Sequence, residues 1–295
     1  MMITSARRTA TQASSSSRVS SQVYMVMDYL DHDVKTLMLT MRQTFTQAEV
    51  KCLVLQLLRG VAFMHANWVI HRDLKTSNLL MNNEGRLVIC DFGMARLYGE
   101  PLRPYTQPVV TLWYRAPELL LGSRVYGPAV DVFSVGCIFA ELLTKKPLFC
   151  ARTGTETEML GLIFGLLGTP TEDSWPGFFD LPGARDLRLK ARPPQPLRQA
   201  LGLGVMGYGG ATAISEAGLD LLRSMIALDP ARRITAAEAL QHRWFFESPP
   251  PADERLMPSF PSAADAERAR ENARTPDAFK LHAPAAAVDA RNARA

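Results

Sequence analysis

No uninterrupted apolar stretch approaches the roughly 18 residues of a membrane-spanning helix. The best candidate, around Val130 to Leu143, is broken by Asp131 and Glu141, so no membrane role is expected. Cysteine is scarce: Cys52, Cys90, Cys137 and Cys150 lack the short paired spacing of a zinc site. Each has apolar neighbours, and all four read as reduced core thiols. Charge of one sign is also in short supply. Lys plus Arg number 33 against 29 Asp plus Glu, a net +4, and most of that excess sits on Arg7, Arg8 and Arg18. So nearly neutral a remainder implies no strong steering toward nucleic acid. Residues 1–21 contain no Gly, no Lys and no Glu. They also lack the apolar core of a secretory signal, while their basic, hydroxyl-rich composition leaves an organellar transit peptide open.

What is present is an ordinary globular composition, 47% hydrophobic and 21% charged over 295 residues. That is enough for one large domain or two small ones. Residues 1–21, rich in Ser, Ala, Thr and Arg, are expected to be disordered. Gln22 to Tyr29 is apolar on both faces and predicts a buried strand. A short helix near Asp33 to Met41 follows, then a longer one opened by the capping box Thr46 and Glu49. Val50, Leu53, Val54, Leu57, Leu58, Val61 and Met64 give that helix an apolar stripe.

Asn78 to Met81 and Arg86 to Cys90 predict a small hairpin turning through Asn82 to Gly85. Pro128 to Leu143 reads as a second buried helix and Glu156 to Leu167 as a third. A proline-punctuated excursion with Trp175 as a packing anchor comes next; it is followed by helical patterns over Ser215 to Leu228 and Thr235 to Leu240. The core is expected to close near Phe246. Residues 247–295 then read as a low-complexity or disordered tail, 13 of the 33 residues from Ala263 to Ala295 being Ala.

The informative segment is His71-Arg72-Asp73-Leu74-Lys75-Thr76-Ser77-Asn78, followed by Asp91-Phe92-Gly93 and Ala116-Pro117-Glu118. Their order and spacing resemble the catalytic loop, metal loop and activation-segment boundary of a eukaryotic protein kinase. From Gln22 to Phe246 the chain resembles cyclin-dependent serine/threonine kinases, most closely their PITSLRE group. The implied fold is mainly α, a kinase C-terminal lobe with short β hairpins.

By this resemblance Asp73 orients the substrate hydroxyl, Lys75 supports the transferring phosphate, and Asn78 and Asp91 hold Mg²⁺ beside ATP. Met27, Asp28, Tyr29, Leu30, Asp33 and Leu80 match the nucleotide surface. Thr106 matches an activating phosphosite that Arg72 and Arg96 would anchor, and Val109 to Arg115 a platform for substrates with Ser-Pro or Thr-Pro. His71, Glu118, Asp131 and Arg233 match structural positions.

The resemblance also implies a cyclin partner and residence in the nucleus, with the cytoplasm as a second compartment. The family's Gly-rich strand pair, phosphate-binding Lys and regulatory-helix Glu have no counterpart before Gln22. The expectation is therefore a truncated N-terminal lobe, weakened cyclin binding and impaired transfer by this chain. A noncatalytic binding module or scaffold, and an incomplete gene model, are the alternatives.

Overall fold

The computed structural model describes residues 26–99, 112–185, 187, 190–204 and 214–261. Asp33 begins the ordered core: it ends β1 (His32–Asp33) and caps α1 (Val34–Thr40), its Oδ1 accepting from the Thr36 amide at 2.8 Å. The next helix, α2 (Gln47–Ala66), opens on a reciprocal cap. Thr46 Oγ1 accepts from the Glu49 amide at 3.3 Å, and Glu49 Oε2 accepts from the Thr46 amide at 2.7 Å. Every member of the apolar stripe from Val50 to Met64 is buried.

Four short strands follow: β2 (Val69–Ile70), β3 (Leu79–Met81), β4 (Leu87–Ile89) and β5 (Arg96–Leu97). One antiparallel sheet has the order β1-β3-β4, with Asp33 opposite Leu80 and Leu80 opposite Val88; β2 and β5 form a second. The remaining helices are α3 (Pro117–Leu120), α4 (Ala129–Thr144), α5 (Glu156–Leu167), α6 (Leu197–Ala200), α7 (Glu216–Met225) and α8 (Ala236–Leu240). Along α4 every residue from Val130 to Leu143 is buried, because α2 covers one side and α7 another. A helix enclosed this way needs apolar residues around its whole circumference. No helix among the described residues is long and apolar enough to cross a membrane.

This mainly α architecture with small antiparallel sheets agrees with the fold read from the sequence, and a full N-terminal lobe is not among the described residues. A buried bidentate pair joins α3 to the turn before α8: Arg233 Nη1 donates to Glu118 Oε1 at 2.5 Å and Nη2 to Oε2 at 2.6 Å. The remaining guanidinium capacity goes to the carbonyls of Ala129, Ala227 and Leu228. A charge pair removed from water persists when its hydrogen-bonding capacity is filled in this way.

Several expectations need correction. Residues 26–30 form no strand, and Val26, Met27 and Tyr29 are exposed. Among the described residues no strand runs beside them, so their backbone has no ladder to join. α7 stops at Met225 rather than Leu228, as the chain prepares for Asp229-Pro230. Cys150 is exposed and Cys90 half-buried; only Cys52 and Cys137 are core thiols.

The core does not close at Phe246 either, because residues 247–261 lie as a strap across α2. Lys51 Nζ, fully buried, donates to the carbonyls of Glu247 and Pro249 at 2.8 and 2.7 Å, and Ala252 N donates to Ala48 O at 2.9 Å. Met257, within the strap, is buried.

The strap crosses the β3–β4 turn at Gly85, whose φ is +79°. A Cβ there would fall 2.0 Å from the Glu254 carbonyl oxygen. Gly85→Ala therefore combines left-handed backbone strain with a backbone collision. It is expected to lower the unfolding free energy by about 2 kcal/mol or more, measured by urea denaturation at neutral pH.

Candidate active site

Near the start of α4 the Asp131 carboxylate, wholly buried, accepts three hydrogen bonds. Oδ2 takes the His71 amide at 2.8 Å and, with His65 Nε2 protonated, the His65 ring at 2.9 Å; Oδ1 takes the Arg72 amide at 2.8 Å. Buried carboxylates demand such donors. Here they pin the first residues of the loop after β2, where Arg72 turns the chain at φ +67°.

That turn delivers Asp73 into a polar cluster. Lys75 Nζ donates to Asp73 Oδ2 at 2.7 Å, while Asn78 Nδ2 donates to Asp73 Oδ2 at 3.1 Å and to the Asp73 carbonyl at 2.9 Å. Asp73, Lys75 and Asn78 are thus brought together in one small volume. A carboxylate paired with an ammonium and an amide holds a fixed direction from which to accept a further proton.

The Asp91 turn is tied to this loop at three points. Cys90 N donates to Asn78 O at 2.9 Å, the His71 ring lies 3.0 Å from Cys90 O through Nε2, and Arg72 Nε donates to Met94 O at 2.7 Å. His71 also meets the Phe92 ring edge-on at 5.1 Å. Asp91 itself is exposed at φ +61°, with Oδ1 accepting from Gly93 N at 3.3 Å.

These residues fit a magnesium ion. Asn78 spends its amide hydrogens on Asp73, leaving Oδ1 for a cation, and Asp91 offers a second hard oxygen. No three His, Cys, Asp or Glu side chains form a complete metal site among the described residues.

Among the residues expected to meet a nucleotide, pairing of β1 with β3 sets Asp33 opposite half-buried Leu80. Met27, Asp28 and Tyr29 remain exposed and Leu30 is half-buried, all outside any strand. Arg72 Nη1 donates to the Tyr126 hydroxyl at 2.8 Å; Arg96, paired with Ile70 across the small sheet, is exposed and donates to Ala95 O. Thr106 lies outside the described residues, as do Val109 to Thr111 of the substrate platform.

Sequence reading missed a second buried cluster. Tyr114 OH donates to Glu141 Oε2 at 2.6 Å and lies 3.1 Å from Thr76 Oγ1, which in turn reaches Glu141 Oε1 at 3.5 Å. Ser134 Oγ donates to Tyr114 O at 2.8 Å. The cluster joins the platform segment to the loop between Lys75 and Asn78. Burial pushes the Glu141 carboxyl up, against the opposing pull of Tyr114, Lys35 and Thr76, and burial beside Glu141 also raises the Tyr114 phenol. The signal was legible: an acidic residue inside an apolar helix needs a partner. Sequence reading also misses His65 in the last turn of α2, whose ring completes the Asp131 shell.

Residues 6–245 match the family model for the protein kinase domain. The chain belongs to the protein kinase family. It is 53% identical over 246 residues to cyclin-dependent kinase G-2 of Oryza sativa subsp. indica, covering 83% of this chain and 34% of that protein. It is 47% identical over 249 residues to cyclin-dependent kinase 11B of Homo sapiens, covering 84% and 30%. The chain therefore spans about a third of the length of these relatives.

A chain from the crystal structure of the yeast RNA Pol II CTD kinase CTDK-1 complex superposes with a TM-score of 0.69 at 35% identity, covering 78% of this kinase and 72% of that chain. Kinase membership makes the convergence of Asp73, Lys75 and Asn78 intelligible as inherited geometry.

Two outcomes follow from the buried carboxylates. Asp131→Ala strands two amides and a ring donor, and is expected to cost about 3 kcal/mol while accelerating hydrogen exchange at the His71 and Arg72 amides. Glu141 binds its proton more tightly folded than unfolded. The stability linked to it is complete below the unfolded carboxylate range and is lost as pH rises through the folded value. Glu141→Gln should therefore gain stability relative to wild type as pH rises from about 4 to 7, read from urea midpoints across that range.

Proposed function

We propose that this chain supplies the catalytic-loop side of a serine/threonine protein kinase that transfers the ATP γ-phosphate to protein Ser or Thr followed by Pro. The observation carrying this reading is the Asp73 carboxylate held by Lys75 and Asn78 on a loop anchored to Asp131. In it, Asp73 orients the substrate hydroxyl and accepts its proton. Lys75 places a positive charge beside that carboxylate and the incoming phosphoryl group. Asn78 Oδ1 and the Asp91 carboxylate hold the cation, and Asp33 with Leu80 supports the nucleoside. Bound Mg²⁺·ATP supplies the phosphoryl group and the charge neutralisation that phosphoryl transfer depends on.

Phosphorylated Thr106, anchored by Arg72 and Arg96, is the activating state in this reading. A cyclin is the expected partner, nuclear residence the expected location and the PITSLRE group the expected subgroup, alongside the 53% identity to cyclin-dependent kinase G-2 and 47% to cyclin-dependent kinase 11B. The domain limits follow the same reading with the strap added, a kinase unit over 22–261 flanked by 1–21 and 262–295. The names of the similar proteins, cyclin-dependent kinases and an RNA polymerase II kinase complex, support these assignments.

A second reading, a noncatalytic module that holds substrates without turnover, is favoured by the exposure of Val26, Met27 and Tyr29 at 69–83%. One experiment separates the two. The chain, phosphorylated on Thr106 and supplied with Mg²⁺, ATP and a cyclin, should phosphorylate a Ser-Pro peptide, and Asp73→Asn should cut that rate roughly 100-fold to 10,000-fold. Peptide binding unchanged by Asp73→Asn, with no transfer from either protein, would instead establish the binding module.

A further inference from the structure

Three segments far apart in sequence meet at Asn83, in the turn between β3 and β4. Its Oδ1 accepts from the Phe260 amide at 2.8 Å and lies 3.2 Å from His32 Nε2, while its own amide donates to Asp31 Oδ2 at 3.3 Å. The Phe260 ring meets the His32 ring edge-on, with centroids 6.1 Å apart and planes at 85°. The turn does not need this side chain for its own geometry. Asn82 Oδ1 already accepts from the Glu84 and Arg86 amides at 3.1 and 2.9 Å. Gln56 of α2 clamps the same turn through Gly85 O at 2.9 Å and Leu87 N at 2.8 Å. The Asn83 acceptor is therefore free to serve contacts between segments.

One of those segments is a fixed post: the strap is fastened to α2 independently, through Lys51 and Ala48. The other is weakly held. β1 has two residues, lies at the sheet edge and among the described residues pairs only with β3.

We infer that Asn83 is a positioning residue through which the C-terminal strap holds β1, and with it Asp33, against the nucleotide floor at Leu80. The inference rests on the nucleotide-site reading proposed above. It makes ATP affinity depend on residues more than 170 positions away, since Asn83 and Phe260 are separated by 177.

The test uses the full chain and measures Mg²⁺·ATP binding, urea midpoints and hydrogen exchange over residues 32–37. Asn83→Ala is expected to weaken ATP binding roughly threefold to tenfold, the scale of one or two lost hydrogen bonds. It should also speed exchange in 32–37 while leaving the urea midpoint nearly unchanged. Phe260→Pro, which removes the amide donor, should reproduce the loss, and combining it with Asn83→Ala should add little, because both cut the same link. Unchanged ATP affinity with unchanged exchange would overturn the inference, as would fully additive losses. A wild-type chain that binds no ATP would refute the nucleotide reading by itself. Exchange over 32–37 would then decide the link alone, faster exchange in Asn83→Ala supporting it and unchanged exchange ending it.

Discussion

The buried Asp131 carboxylate is the constraint on which the site depends. Its two oxygens collect backbone donors from His71 and Arg72 and the ring of His65, fixing the loop before any substrate arrives. A carboxylate withdrawn from water is costly unless its lone pairs are used, and here the same bonds that offset that cost set the direction of Asp73. The left-handed turn at Arg72 is held within this arrangement: the amides on Asp131 and the side-chain bonds to Met94 and Tyr126 over-determine it.

α4 contributes a second anchor one helix length away. Asp131 near its first turn and Glu141 near its last both leave an otherwise apolar helix to meet polar groups on the loops above. One rigid element thus positions the loop over residues 71–78 at two points, through His71 and Arg72 at one end and Thr76 at the other. The Glu118–Arg233 pair performs the matching task for α3, tying it to carbonyls at the start of α4 and just after α7. Polar groups inside this lobe give register to helices that apolar packing alone would allow to slide.

The residues legible from sequence were those whose physics is local. Thr46 and Glu49, or Thr235 and Glu238, sit three apart because each pair closes its own ring of hydrogen bonds. The stripe from Val50 to Met64 repeats at helical spacing because one face is buried, and the Asn82–Gly85 turn shows in its composition. What escaped depends on distant partners. Val26 to Leu30 carries a strand-like pattern, but strandedness requires a neighbour that the pattern cannot supply. The strap escaped because its contacts use backbone carbonyls, which carry no residue signature. Asp73, Lys75 and Asn78 lie close in sequence and meet in one cluster, whereas Glu141 signals only its need of a partner, and Thr76 and Tyr114 reach it only once three segments are folded together.

Lys51 carries a consequence for how the polypeptide is made. Its ammonium reaches carbonyls 196 and 198 residues further along, and burial lowers its affinity for its proton. Until Pro249 has left the ribosome that charge has no acceptor to replace water. The first turns of α2 must stay hydrated until that segment is available. Final docking of that helix waits for the strap, and the folding chain passes through a state with an open flank where the strap will later lie.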